Sequence, residues 1–191
     1  MQPLILASRS PARKKLLAQL GLKFQVIVSD SVERSRGYRS YRQLVIKNAQ
    51  SKAMSVAGRL DRGIIIAADT VVVVSKKIIG KPKTFAAAVR TLKKLSRNPH
   101  WVYTGIAVLD VWRNRCFTGY EKTKIYMYPL TDTQIKRYFE KVSPFDKAGG
   151  FAIQGLGAVF IDRIEGCYYN VVGLPLAHLA KLLSKVGREI F

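Results

Sequence analysis

The chain has 191 residues, of which 48% are apolar and 24% charged, and this is the composition of an ordinary globular protein with a sizeable core. No apolar run is long enough to span a membrane, and the first residues lack a secretory leader, so we expect a cytoplasmic protein without membrane attachment. Lysine and arginine number 33 against 12 aspartate and glutamate, and the net charge of +21 predicts an anionic partner, although dispersed basic residues are equally typical of a solvated surface.

Apolar patterns of period two and period 3.6 are mixed along the chain without a repeat or a linker, which predicts one compact α/β unit over residues 1–191. The predicted strands cover residues 4–7, 24–28, 64–74, about 100–110, 116–128, 158–164 and 168–172. The predicted helices cover residues 11–20, 44–57, 85–95, 132–141 and 175–186, with Ser10, Thr84 and Thr131 as N-caps. The basic segment 34–42 and the glycine-bearing segment 146–150 are predicted loops.

The strand predicted over 64–74 is apolar except at Asp69 and Thr70, so it is expected to be buried on both faces. An ionised Asp69 would be desolvated there unless the strand opens onto a cleft, a cation or hydrogen-bond donors. This interruption makes Asp69 a candidate functional carboxylate. A structural aspartate bound to backbone amides would give the same pattern, and the sequence leaves that alternative open.

The turn between the first strand and the first helix carries two hydroxyls and two guanidiniums, in the segment from Ser8 to Arg13. These groups can hold phosphate oxygens at a helix N-terminus. The turn lacks the glycines and the Lys-Ser/Thr pair of a P-loop. Helix capping and solvated arginines explain it equally well.

Four further polar residues are uninformative or ambiguous by themselves. Lys52 and Lys81 are typical of surface lysines, Gln154 could contact a base edge or satisfy a turn, and Glu33 could pair with the arginines that follow it.

The cysteines and histidines give little support for metal or redox chemistry. Cys116 and Cys167 have no CxxC spacing and are expected to be free, buried thiols. His100 and His178 have apolar neighbours and are expected to be structural.

Seven motifs follow one another over almost the whole chain. They are Leu4-Ile5-Leu6-Ala7-Ser8-Arg9-Ser10-Pro11 with Arg13, Ala68-Asp69-Thr70-Val71-Val72, Gly80-Lys81-Pro82, Thr104-Gly105, Asp146-Lys147-Ala148-Gly149, Ile153-Gln154-Gly155 and Asn170-Val171-Val172-Gly173-Leu174-Pro175-Leu176. Together and in this order they resemble the signatures of the Maf family of nucleoside triphosphate pyrophosphatases, also called septum formation proteins.

The resemblance implies a Maf-like mixed α/β fold, related to the inosine triphosphate pyrophosphatases, with a long mixed sheet, flanking helices and a cleft between two lobes. It implies hydrolysis of a nucleoside triphosphate between the α and β phosphates with a divalent metal, Mg²⁺ or Mn²⁺. Matched by position, Asp69 is the expected general base and Glu33 lines the substrate site. Because Mg²⁺ and Mn²⁺ take oxygen ligands, Glu33 is also expected to help Asp69 hold the metal. The expected substrate-site residues are Ser8, Arg13, Lys52, Lys81 and Gln154.

Three positions bear on the choice of base. In the dTTP/UTP branch of the family they are usually Arg, Thr and Gln, and here they are Ala12, Thr70 and Gln154. Two of the three match, so the resemblance implies a pyrimidine triphosphate as substrate. Ala12 lacks the guanidinium of that branch, which predicts weaker selectivity.

A second function from another class is a non-enzymatic nucleic-acid-binding or division-regulating protein that uses its charge. The sequence shows no nucleic-acid-binding module, so nucleic acid is not expected as the primary partner. The resemblance also implies a homodimer.

Overall fold

The computed structural model describes residues 2–35, 37–145 and 147–191. Arg36 of the predicted basic loop and Asp146 of the predicted glycine-bearing loop lie outside the described residues, as does Met1. The strands of the described chain are β1 (Leu4–Leu6), β2 (Gln25–Val26), β3 (Ile64–Val74), β4 (Lys77–Ile79), β5 (His100–Asp110), β6 (Arg115–Met127) and β7 (Ile161–Glu165). The helices are α1 (Pro11–Gln19), α2 (Tyr41–Ala57), α3 (Phe85–Arg97), α4 (Asp132–Lys141), α5 (Tyr168–Val172) and α6 (Leu176–Ser184), with 3₁₀ turns at Ala148–Gly150 and Gly155–Phe160.

The seven strands form one mixed sheet in the order β2-β1-β3-β5-β6-β7, with β4 paired to β3. Strand β1 runs parallel to both of its neighbours, so that Ile5 lies opposite Gln25 on one side and Ile65 on the other. Strands β3 and β4 are antiparallel, as are β6 and β7. A mixed sheet with flanking helices confirms the predicted fold class.

The described residues form two compact units, of which the first contains the chain up to Thr70 together with Tyr103–Glu121 and Gly173–Phe191. One core of this unit packs the predicted apolar face of α2 against the sheet. It consists of Ile5, Ala7, Ala49, Ala53, Val56, Ile65, Ala67, Ala107 and Leu109. The small alanines on α2 allow close packing of the helix on the strands.

The second unit contains Val71–Val102 and Lys122–Val172. Its core packs the apolar faces of α3 and α4 against strand residues. The core residues include Val72, Val74, Leu92, Leu95, Val102, Ile125, Ile135, Tyr138, Phe139, Phe151 and Phe160.

Long apolar strands and capped helices are the elements that the sequence predicts best. Strands β3 and β5 have the predicted bounds, and Ser10, Thr84 and Thr131 each accept a backbone hydrogen bond as N-caps. Helix α2 begins earlier than predicted, at Tyr41, because Ser40 caps it.

The predicted strand over 168–172 is wrong, because this segment is helix α5. Its tyrosines and valines have strand propensity, but Asn170 is fully buried and donates to Val102 O at 3.1 Å and to Thr123 Oγ1 at 2.9 Å. These tertiary contacts override local propensity. The strand predicted over 158–164 begins only at Ile161, after the 3₁₀ turn, and the one predicted over 24–28 is reduced to two exposed residues.

The predictions for the burial of the cysteines and histidines hold only in part. Both cysteines are free, but each is only partly buried, which corrects the expectation of buried thiols. His100 is fully buried and its ring contacts Phe151 edge to face, as expected of a structural histidine. Within the described residues, no helix is long and apolar enough to cross a membrane.

Candidate active site

Asp69 lies in the middle of β3 and is only 4% exposed. Its Oδ1 accepts a hydrogen bond from Lys52 Nζ at 2.7 Å, and its Oδ2 accepts one from Asn48 Nδ2 at 2.9 Å. Among the described residues, its hydrogen-bond partners are therefore side chains of α2 and not the backbone amides that hold a structural aspartate. An ammonium and an amide donor compensate for the loss of water around a buried carboxylate.

Helix α2 brings both partners to Asp69 because residues four apart lie on the same face of a helix. Val45 lies on this face one turn before Asn48 and contacts β5 at Gly105. A Cβ at Gly105 would be 2.3 Å from the carbonyl carbon and oxygen of Val45, so only glycine allows the helix to approach β5 this closely. The close approach positions Asn48 and Lys52 on the sheet.

Lys52 joins two carboxylates. Its buried Nζ lies 2.6 Å from Glu33 Oε1 and 2.7 Å from Asp69 Oδ1, and it donates to Ala68 O at 3.3 Å. The Glu33 side chain is 64% exposed, whereas that of Asp69 is 5% exposed. The structure therefore pairs Glu33 with Lys52, a partner that the sequence did not indicate.

The two carboxylates offer oxygen ligands of the kind that Mg²⁺ and Mn²⁺ take. Glu33 and Asp69 both pair with the Lys52 ammonium, which places their side chains close together. No group of three or more His, Cys, Asp or Glu side chains within residues 2–35, 37–145 and 147–191 could hold a metal alone. Mg²⁺ is commonly held by one or two carboxylates together with substrate phosphates, and two carboxylates match that mode.

Arg13 forms a second cluster in the same unit. Its Nε donates to Gly173 O at 2.8 Å, Nη2 to Thr70 Oγ1 at 2.9 Å, and Nη1 to Ser8 Oγ at 3.3 Å. Thr70 also shares a hydrogen bond of 2.9 Å with Thr104. A guanidinium has five N–H donors, so these contacts fix the plane of Arg13 and leave two donors for an anion.

Desolvation lowers the pKa of Arg13, and the carboxylates of Asp69 and Glu33 act in the opposite direction. An arginine nevertheless stays charged in a protein. A partly desolvated guanidinium attracts an anion more strongly than one on an open surface does, because less water screens it.

Ala12 lies in the first turn of α1, next to Arg13, and is partly buried. It offers a methyl group and no hydrogen-bond donor. Ser10 caps the helix by accepting from the backbone N–H of Arg13 at 3.4 Å, and Ser8 Oγ accepts from the backbone N–H of Ser10 at 3.3 Å. The N-terminus of α1 and the side chains of Ser8 and Arg13 thus belong to one polar turn.

Two expected site residues belong to the second unit. Lys81 follows β4 and is exposed. Gln154 is exposed and precedes the 3₁₀ turn Gly155–Phe160, and its side chain makes no capping hydrogen bond. The contacts described above bring together Asp69, Lys52 and Glu33, and separately Arg13, Ser8 and Thr70, and they include neither Lys81 nor Gln154.

Three residues of these clusters were given no site role from the sequence, namely Asn48, Thr104 and Gly173, although Thr104 and Gly173 lie in motifs that carry the family resemblance. Asn48 carried a readable signal, because it is a buried polar residue four positions before Lys52 on the apolar face of a predicted helix. The roles of Thr104 and Gly173 depend on tertiary contacts with Thr70 and Arg13. No pattern within the sequence indicates those contacts.

Comparison with known proteins finds a family model and relatives that match along almost the whole chain. The family model described as Maf-like protein matches residues 3–186. The dTTP/UTP pyrophosphatase of Desulforamulus reducens is 46% identical over 190 residues, which cover 100% of both chains. That of Carboxydothermus hydrogenoformans is 43% identical over 182 residues, which cover 95% of this chain and 97% of its own. The Ham1 protein of Staphylococcus aureus aligns in structure with a TM-score of 0.46 and 16% identity, over 67% of this chain and 73% of its own.

Proposed function

The chain belongs to the Maf family, and from this membership we propose that it is a nucleoside triphosphate pyrophosphatase that acts on dTTP and UTP. It would cleave the bond between the α and β phosphates and release the monophosphate and pyrophosphate. The observation that carries the proposal is the buried carboxylate of Asp69, held by Lys52 and Asn48. Such a carboxylate suits a general base, and the full-length similarity to two dTTP/UTP pyrophosphatases supports the choice of substrate.

Asp69 would take a proton from the attacking water as the water oxygen bonds to phosphorus and the bond to the leaving phosphate oxygen breaks. Lys52 and Asn48 each donate one hydrogen bond to its carboxylate, which fixes the orientation of its remaining lone pairs. Lys52 would also neutralise charge that develops on the phosphates.

Arg13, Ser8 and the N-terminus of α1 would bind phosphate oxygens. The two uncommitted donors of Arg13 and the Ser8 hydroxyl hydrogen are the groups available for this. We place Lys81 in the same role, as a cation supplied by the loop after β4.

Asp69 and Glu33 would hold Mg²⁺ or Mn²⁺ together with the substrate phosphates. When bound, the metal would supply charge neutralisation at the phosphate oxygens.

We propose that Thr70, Gln154 and Ala12 affect which nucleobase the site accepts. Thr70 would act through Arg13, which it accepts from at 2.9 Å, while the Gln154 amide is free to pair with a base edge. Ala12 supplies no donor, so discrimination against other triphosphates is expected to be weak. A homodimer and a cytoplasmic location are part of the same proposal.

The test is a comparison of kcat/KM for dTTP, UTP, CTP and GTP with Mg²⁺, with pyrophosphate and nucleoside monophosphate both quantified. We expect dTTP and UTP to be best, with equal amounts of the two products. Asp69→Asn is the matched control, because it keeps the shape of the side chain and should lower kcat by about 10²-fold or more. Release of orthophosphate, preference for a purine, or near-normal turnover by a folded Asp69→Asn variant would contradict the proposal.

A further inference from the structure

One face of the sheet in the second unit carries a row in which cations and aromatic rings alternate. Lys122 Nζ lies 5.1 Å from the centroid of the Trp101 ring, and Lys124 Nζ lies 5.6 Å from the same centroid. Lys124 Nζ is also 4.8 Å from the centroid of Tyr126, and the guanidinium carbon of Arg163 is 3.6 Å from it. These five residues are called the cation–ring row below.

Strand geometry assembles the row from three strands, β5, β6 and β7. Successive side chains on a strand point to opposite faces, so Lys122, Lys124 and Tyr126 share one face of β6, while Thr123 and Ile125 between them are buried on the other. Tyr126 lies directly opposite Arg163 in the antiparallel pairing of β6 and β7. The row is therefore a surface on three strands, and the β6–β7 pairing shifts register just after Tyr126.

Cation–ring contacts are concentrated in this row. Of the seven such contacts among the described residues, four fall in the row.

The row keeps positive charge available. Arg163 is paired with Asp162 at 3.0 Å and with Glu165 at 3.7 Å, and its guanidinium carbon lies close to the Tyr126 ring. Glu165 is the cross-strand neighbour of Lys124, but its ion pair is with Arg163. Neither Lys122 nor Lys124 has an ion-pair partner among residues 2–35, 37–145 and 147–191.

We propose that the cation–ring row binds single-stranded nucleic acid. Unpaired bases stack on aromatic rings and on guanidinium planes regardless of sequence, and Trp101 and the guanidinium of Arg163 above Tyr126 supply those planes. Lys122 and Lys124 supply ammonium groups for the phosphates between the bases, and the net charge of +21 adds long-range attraction. None of the five residues belongs to the proposed catalytic machinery, so this binding is additional to the enzymatic function.

The chemistry favours this occupant over a duplex or a lipid surface. A duplex keeps its bases stacked on one another, so the rings would find no partner. A lipid surface binds an amphipathic helix whose rings and cations lie on opposite faces, whereas this row lies on β-strands and interleaves its rings with cations.

Trp101 itself can report the binding. The sequence has two tryptophans, and Trp112 is 74% exposed in the turn after β5, so Trp112→Phe leaves Trp101 as the only indole. We expect an oligoadenylate of about 12 nucleotides to quench the Trp101 fluorescence of this variant by stacking. Inorganic polyphosphate of matched charge is the control, and it should bind without quenching because it has no bases.

Two variants with the same change in net charge separate the row from general electrostatics. Lys122→Glu/Lys124→Glu should weaken binding of the labelled oligonucleotide, measured by anisotropy, by about tenfold or more. Arg90→Glu/Lys136→Glu reverses two exposed charges on α3 and α4 and should change the affinity by about twofold at most. Trp101→Leu should weaken binding by about tenfold while keeping the charge.

Several outcomes would overturn the proposal. They are equal losses in the two charge-reversal variants, quenching by polyphosphate as strong as by the oligonucleotide, tighter binding of a duplex of the same length, binding to phosphatidylserine vesicles but not to the oligonucleotide, and no binding at all. Unfolding midpoints of all variants are compared, and Lys122→Gln/Lys124→Gln replaces the double glutamate variant if the latter does not fold.

Discussion

The side-chain amide of Asn48 makes a reciprocal pair of hydrogen bonds with the backbone of Arg34: Oδ1 accepts from its N–H at 3.1 Å, and Nδ2 donates to its carbonyl at 2.9 Å. The same Nδ2 donates to Asp69. Asn48 therefore connects the proposed base to the backbone of the residue that follows Glu33.

Asn48→Ala removes all three of these hydrogen bonds. We expect kcat/KM to fall about tenfold and the free energy of unfolding to fall by about 1–3 kcal/mol, because buried partners lose their hydrogen bonds. Ser55→Ala is the matched control, since Ser55 Oγ accepts from the backbone of Asp30 at 3.3 Å and does not contact Asp69. Equal kinetic losses in both variants would show that anchoring of the segment, and not the contact with Asp69, is what matters.

Lys52→Met leaves Asp69 buried without its cation. Removing one partner of a buried ion pair costs about 3–5 kcal/mol, so we expect a loss of stability of this order in denaturant unfolding. Adding Asp69→Asn should recover much of the loss, because the uncompensated charge is then removed. If the two substitutions were simply additive, the two side chains would not be energetically coupled.

Thr70→Val tests whether Thr70 acts by orienting Arg13. The valine keeps the volume but loses the oxygen that accepts from Arg13 Nη2, and we expect kcat/KM for the triphosphate to fall by about fivefold to tenfold. Thr70→Ser should restore most of the activity because it restores that oxygen. A serine variant as impaired as the valine variant would argue for a packing role of the methyl group.

Ala12→Arg tests the expected origin of weak base selectivity. A guanidinium on the first turn of α1 supplies a donor to the base, so we expect the preference for dTTP and UTP over CTP and GTP to increase by about 1–2 kcal/mol, roughly tenfold. Ala12→Met adds length without a donor and serves as the control. Unchanged ratios of kcat/KM in the arginine variant would mean that position 12 does not determine specificity.

His100 predicts a pH dependence of stability. Its ring is fully buried, and burial lowers the pKa of the imidazole although backbone carbonyls of Asn98 and Leu95 oppose the shift. The imidazole of His100 therefore binds a proton more readily in the unfolded chain than in the folded protein. The contribution of His100 leaves the free energy of unfolding unchanged above about pH 6.5 and lowers it as the pH drops below that value. The slope can reach about 1.4 kcal/mol per pH unit, the limit for one proton.

This slope is measured by denaturant unfolding between pH 5 and pH 7.5. His100→Phe should flatten it, whereas substitution of the other histidine, His178→Gln, should leave it in place. Asp110 does not interfere. Burial would raise the pKa of its carboxyl, but hydrogen bonds from Gln2 and Arg113 outweigh that effect, so its net pKa is lowered and it titrates at more acidic pH. An unchanged slope in His100→Phe would assign the effect to other groups.

Local information predicted those features that depend on neighbouring residues in the chain. Asp69 was identifiable because apolar residues flank it, and the caps of α1, α3 and α4 follow from hydroxyls in the preceding position. The contacts of Asp69 with Asn48 and Lys52 could not be predicted, since they join residues that are 21 and 17 positions apart in the chain. Only the packing of α2 on β3 creates them.

Helix α5 and the cation–ring row also depend on contacts between distant residues, which local sequence information does not predict. Asn170 determines the conformation of α5 through Thr123 and Val102, which are distant in sequence. The row was invisible as a motif because Trp101, Lys122 and Arg163 come from three strands. A surface that interleaves rings and cations exists only after the strands pair.

Because Gly105 has no side chain, α2 can lie close enough to β5 for Asn48 and Lys52 to reach Asp69. Any methyl group there would collide with the backbone of Val45 and displace α2, and with it the two donors that face the proposed base. A saturation scan of the gene scored by growth or turnover would therefore rank position 105 with the catalytic positions. This intolerance reflects the space that glycine leaves empty, since glycine brings no functional group of its own.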